Sequence, residues 1–170
     1  MPIIQLDTFF IGRIKKLGGL ALRNIGSLAV FAALVILAAS TGIQFQPGEW
    51  YADLNKPVWT PPNALFPIAW TILYIVIAVA GWLVWRAAGW SPAVLIWGVG
   101  LFFNGFWSYL MFGRHDIAVA LADIVQLWVA IVAFIFAAWR VERRASYLYV
   151  PYLAWVTFAA ALNFAIWQLN

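Results

Sequence analysis

The sequence predicts an all-α integral membrane protein, a bundle of five transmembrane helices. Three observations predict it. The 170 residues are 66% hydrophobic and only 9% charged, against a charged share of about 25% in soluble domains. Five apolar runs reach the roughly 20 residues that a helix needs to cross a hydrocarbon core. The runs do not alternate apolar and polar residues and are too long for barrel strands, the other backbone that lipid tolerates.

The spans are expected at 25–43, 65–86, 92–112, 117–139 and 146–167. Before the first lies "FFIGRIKKLGGLALR", so residues 1–26 read as a basic and apolar N-terminal extension. Such a segment either lies along the cytoplasmic membrane surface or forms a loose tail. A basic stretch followed by "SLAVFAALVILAAS" also has the pattern of a secretory signal. The near-spanning length of the run and its long basic lead favour a retained helix.

The second span opens at "FPIAWTILY", with Pro67 in its first turn, and the third opens at Pro92. The fifth contains "PYLAW", which is expected to put Pro151 in its first turn, where a missing N–H does least harm. The linkers "RAAGWSP", "GRHD" and "RVERRAS" are short. Helices joined so tightly are expected to pack as antiparallel neighbours.

Charge then orients the bundle. An odd number of spans puts the termini on opposite faces. Arg13, Lys15, Lys16, Arg23, Arg86, Arg140, Arg143 and Arg144 fall on the N-terminal side, and only Lys56 and Arg114 on the other. The positive-inside rule places the N-terminus in the cytoplasm and the C-terminus outside it, as expected for a bacterial inner membrane, with an outer membrane as the alternative. The net charge of +4 is accounted for by topology and contact with anionic lipid, so no nucleic-acid partner is expected.

Enzyme and metal signatures are missing. There is no cysteine, and the one histidine, His115, lies in the "GRHD" linker. No metal site is expected, and no cofactor is required. The sequence has no Ser/His/Asp order, no paired catalytic carboxylates and no glycine-rich phosphate loop.

The chemistry gathers around "GEWYADLNKPVWTPPNALFPIAW", Gly48 to Trp70. A loop of about 20 residues inside a compact bundle points to a function. Pro57, Pro61, Pro62 and Pro67 restrict it, while Glu49, Asp53 and Lys56 suit a face toward water. Residues 44–63 are expected to fold as a lid, with Trp50 and Trp59 holding it shut. In the spans, Trp70 and Tyr74 share a helix face, as do Asn104, Trp107 and Ser108, and Trp155, Ala159 and Leu162. An amide inside a membrane must face a protein partner or a cavity. Asp123, three positions before Gln126, is expected to form an interhelical hydrogen bond. Trp82, Trp85, Trp90, Trp139 and Trp167 sit where an interfacial aromatic belt belongs.

Four linked motifs carry a family resemblance: "WYADLNKPVWTPP", "PIAWTILY", "NGFWS" and "PYLAW…ALNF". In order and spacing they resemble the tryptophan-rich sensory protein family, also called the translocator protein or peripheral benzodiazepine receptor family, in its bacterial form. The likeness covers residues 27–170. It implies a five-helix bundle, often a homodimer, with a pocket under the first loop. It implies binding of porphyrins of the protoporphyrin IX type, and of sterols and hydrophobic drugs. The matching pocket residues are Tyr51, Pro61, Trp70, Tyr74, Asn104, Trp107, Trp155 and Ala159. Some relatives degrade bound porphyrin in light, and there the implied residues are Trp70 and Trp155. The function expected is a porphyrin sensor or carrier. A light-dependent porphyrin-degrading enzyme and a sterol, lipid or porphyrin transporter are the alternatives. One departure weighs against sterol: at the end of the fifth span, Phe164 and Gln168 stand where vertebrate members carry tyrosine and a basic residue.

Overall fold

A computed structural model describes the backbone of residues 3–170 and the side chains of residues 24–170. The elements are α1 (Ile3–Gln44), α2 (Glu49–Asp53), α3 (Leu65–Ala88), α4 (Pro92–Ser108), α5 (Ile117–Trp139) and α6 (Arg143–Leu169). A π-helical turn, Tyr109–Gly113, extends α4. No strand occurs among the described residues. Five helical segments are long and apolar enough to span a membrane: Asn24–Gln44, Leu65–Ala88, Pro92–Gly113, Ile117–Trp139 and Arg143–Leu169. The protein is an integral membrane protein. The backbone of the expected N-terminal extension is helical from Ile3 and continuous with the first span in α1; its side chains before residue 24, and with them its expected place along the membrane surface, lie outside the described residues.

Local chemistry sets the helix ends. Ser91 accepts from the Val94 N–H, with Pro92 at the first helical position of α4. Asp116 accepts from the Val119 N–H at 3.0 Å to start α5. Gly89 ends α3 with φ of 58°, a conformation that costs glycine nothing. The start of α6 corrects the expectation. Glu142 accepts from the Arg144 N–H at 3.1 Å, so the helix begins at Arg143 and takes in half of the expected linker. Pro151 consequently sits inside α6, not in its first turn.

The helices close a ring in the order α1, α3, α6, α5, α4. This corrects a second expectation. α3 and α4 are joined by a three-residue turn, yet each packs mainly on other helices, and α1 wedges between them. Lipid supplies no hydrophobic drive between helices, so close packing and hydrogen bonds hold the ring. Trp97 shows how. Its Nε1–H donates to the Ile77 carbonyl at 2.9 Å, and its indole occupies the space beside Gly81. A Cβ at Gly81 would stand 2.5 Å from that indole and 2.9 Å from Phe31. Trp82 Nε1 bonds the Asn24 carbonyl and the Ser27 hydroxyl, each at 3.1 Å, tying α3 to α1 at the same end of the bundle. Phe134 stacks closely on Tyr149, with ring centroids 4.0 Å apart. This half of the interior is solid.

Candidate functional site

The other half of the interior is open. A cavity of about 690 Å³ lies inside the ring, with walls from all five spanning helices and a roof from the first loop. That volume falls within the roughly 300–1,000 Å³ of small-molecule sites. α3 contributes Phe66, Trp70 and Tyr74, α4 contributes Asn104 and Trp107, and α6 contributes Trp155, Ala159 and Leu162. Ile124 and Leu127 of α5 close the back, and Ala39, Gly42 and Ile43 of α1 the front.

Seven of the eight residues singled out in the sequence meet on this wall: Tyr51, Trp70, Tyr74, Asn104, Trp107, Trp155 and Ala159. Pro61 does not reach it. It follows the turn closed by the Thr60 N–H on the Pro57 carbonyl, in the part of the loop that packs outward. Sequence reasoning missed the α1 residues and Met111. Small and aliphatic side chains in an apolar helix give no signal of which face meets a cavity. Met111 is brought inward by the π-helical turn, in which Arg114 N–H bonds the Tyr109 carbonyl five positions back.

The polar groups of the wall are held by neighbours. Asn104 Nδ2 donates to the Tyr152 hydroxyl at 2.8 Å, which fixes the amide. Its Oδ1 is buried and has no partner among the described residues. Trp107 Nε1 donates to Asn163 Oδ1 at 3.0 Å, and Asn163 Nδ2 donates to the Ile117 carbonyl at 3.1 Å, so that chain is satisfied. Trp155 Nε1 is buried and has no partner among the described residues. Two lining residues thus hold, among aromatic and aliphatic side chains, one buried donor and one buried acceptor without a partner among the described residues. Trp70 and Tyr74 stack at 5.4 Å with 28° between their planes, one turn of α3 apart.

Asp123 behaves differently from its expectation. It is buried at 4% exposure, but its Oδ2 has no hydrogen-bond partner among the described residues. Gln126, three positions on, is exposed. No cluster of three or more metal-ligating side chains occurs among the described residues.

The roof is folded. α2 carries the buried Tyr51, whose ring meets Phe112 edge-on at 5.4 Å. Lys56 Nζ stands 4.8 Å from the Tyr51 ring centroid and is held by the Ala52 and Leu54 carbonyls. Burial pushes the Tyr51 phenol above its ordinary 10.0. Trp50 stacks on His115 at 4.2 Å, and Trp59 meets Phe158 at 5.9 Å. Neither tryptophan lines the cavity.

Fold and site together define a class: a five-helix membrane protein with an aromatic-walled intrabundle cavity beneath a folded extramembrane loop. Comparison with known proteins gives the particular family. Residues 26–168 match the TspO/MBR family, and the chain belongs to that family. It is 39% identical to the tryptophan-rich sensory protein of Cereibacter sphaeroides, over 82% of this chain and 89% of that one. It is 40% identical to the tryptophan-rich protein TspO of Chlorobaculum tepidum, over 87% and 98%. It is 32% identical to the translocator protein of Bos taurus, over 82% and 88%.

Proposed function

We propose that this protein is a membrane receptor, sensor or carrier that binds tetrapyrroles of the protoporphyrin IX type in the intrabundle cavity. We place it in a bacterial inner membrane as a homodimer, with its N-terminus in the cytoplasm. The observation that carries the reading is the cavity's mixed aromatic and aliphatic lining, in which two residues, Trp155 and Asn104, hold buried polar atoms (Nε1 and Oδ1) without a partner among the described residues. A buried polar atom without a partner costs free energy. A ligand that supplies one acceptor and one donor beside a flat apolar ring removes that cost. A free-base porphyrin with carboxyl groups at its edge has this composition, and Trp70, Tyr74 and Trp107 offer it ring faces and edges.

Protoporphyrin IX added to the purified protein should quench tryptophan fluorescence saturably. Trp155→Phe should weaken binding about three- to ten-fold, the worth of one hydrogen bond. Trp59→Phe should leave it unchanged. If a Trp155→Phe/Asn104→Leu double variant binds like the parent, the cavity is not the site.

The presence of both Trp70 and Trp155 on the cavity wall supports a second reading, light-driven oxidation of the bound porphyrin. Illumination in air should then bleach the main porphyrin band faster with the parent than with a Trp70→Phe/Trp155→Phe variant. Equal rates would remove this reading and leave the first intact.

A further inference from the structure

We propose that Asn170 is the latch of the loop, and that its engagement with Asn55 sets the rate at which ligand exchanges with the cavity. The inference rests on the reading of the cavity as a ligand site. It is carried by a reciprocal set of hydrogen bonds. Asn55 N–H donates to Asn170 Oδ1 at 2.9 Å, and Asn170 Nδ2 donates back to the Asn55 carbonyl at 3.0 Å. Asn55 Nδ2 donates to the Leu169 carbonyl at 3.2 Å. Among the described residues, every other hydrogen bond of residues 45–64 closes a local turn, within four positions. The Asn55–Asn170 set alone reaches across the chain, over 115 positions.

The same side chain finishes α6. Asn170 Nδ2 also donates to the Ile166 carbonyl at 2.8 Å, satisfying one of the carbonyls that every helix leaves open at its last turn. Leu169 offers another, and Asn55 fills it. Closing the loop and capping α6 are thus one event. The event reaches the cavity through Ile166, whose side chain is on the wall.

Position makes this a latch rather than a permanent staple. All the bonds between Asn55 and α6 are exposed, so water replaces them when the loop lifts. The remaining anchors are non-polar contacts without hydrogen-bond directionality: Trp50 on His115, Trp59 on Phe158, and Tyr51 against Phe112 in a cluster with Leu110, Leu162 and Ile166. Neither Asn55 nor Asn170 lines the cavity. Losing the latch should therefore change how often the roof opens and leave the contacts of the bound state alone. Affinity then stays nearly constant while both rates rise.

The test uses the full chain in detergent or nanodiscs. Asn170→Ala and Asn55→Ala are compared with the parent by amide hydrogen exchange over residues 50–60 and by stopped-flow fluorescence with protoporphyrin IX. Asn170→Ala, which loses both bonds to the Asn55 backbone, should exchange fastest in the loop; Asn55→Ala keeps those two and loses only its side-chain bond to the Leu169 carbonyl, so its loop should exchange faster than the parent's but less so. Porphyrin association and dissociation should each speed up by roughly five- to ten-fold, the worth of one or two exposed hydrogen bonds, with Kd changed less than about two-fold. Asn170→Asp, which keeps the acceptor and loses the donor, should fall between. Unchanged loop exchange overturns the latch. Faster loop exchange with unchanged porphyrin rates overturns its control of ligand exchange. A parent that does not quench with porphyrin refutes the ligand reading instead, and loop exchange in the variants then decides the latch by itself.

Discussion

Asn104 and Tyr152 illustrate how one side chain aims another. The amide spends its donor on the tyrosine hydroxyl, and its oxygen is left buried, without a partner among the described residues, in a side chain that lines the cavity. Tyr152→Phe removes that constraint and lets the amide turn. Porphyrin affinity should fall by less than in Asn104→Leu, and the fluorescence titration can rank the two. Gly81 makes the opposite point, because there the absence of a side chain matters. Gly81→Val should force Trp97 out of its place and cost about 1–3 kcal/mol, as overpacking does. A lower thermal unfolding midpoint in detergent would report it, and an unchanged midpoint would contradict the packing described. The identities of Trp155 and Asn104 were legible because an indole and an amide inside a spanning helix are unusual. Tyr152 was not, because a tyrosine near a helix end reads equally well as an interfacial anchor.

At the scale of elements, caps and turns do what residue types dictate. Asp116→Ala removes the acceptor for the Val119 N–H and should destabilise the start of α5 by about 1 kcal/mol. That is measurable as faster amide exchange in its first turn. The loop carries a pH dependence. Burial raises the Tyr51 phenol above 10.0. The folded loop therefore holds the proton more tightly than the unfolded chain does. Its contribution is fully present below the ordinary phenol value and is lost as pH rises through the raised one. Loop amides should exchange anomalously fast at alkaline pH in the parent, after correction for base catalysis, and not in Tyr51→Phe. The short helix α2 was not legible in the sequence. Five residues between prolines fall below any periodicity that could be read, and Tyr51 is fixed by Phe112 from the π-helical turn.

For the whole molecule, the ring order explains why half the interior is solid and half is open. Gly81 admits the Trp97 indole between α1, α3 and α4 at one end. At the other end the aromatic side chains stand around the space instead of filling it. The proposed orientation can be checked directly because the chain has no cysteine. In intact cells or spheroplasts an impermeant maleimide should label Lys56→Cys, and Arg144→Cys should react only in inverted vesicles. Labelling of Arg144→Cys from outside would reverse the topology. Light scattering of the purified protein should give twice the 19.1 kDa chain mass for the proposed homodimer.

Composition by itself determined that this chain lives in a membrane and crosses it as helices, because lipid leaves the backbone no other partners than its own. The apolar runs determined how many spanning helices there are, and Pro92 marked where one of them begins. Spacing within the helices put Trp70 with Tyr74 and Asn104 with Trp107 on shared faces. Only the tertiary structure decided which faces meet. It placed α1 between α3 and α4, against the expectation from their short linker, and it left Pro61 off the cavity wall. It left Asp123 Oδ2 without a hydrogen-bond partner among the described residues, where sequence reasoning supplied a bond. It also joined Asn55 to Asn170. The physical reason is that periodicity fixes direction around one helix axis, whereas neighbours in a bundle are chosen by side-chain shape across chain-distant surfaces.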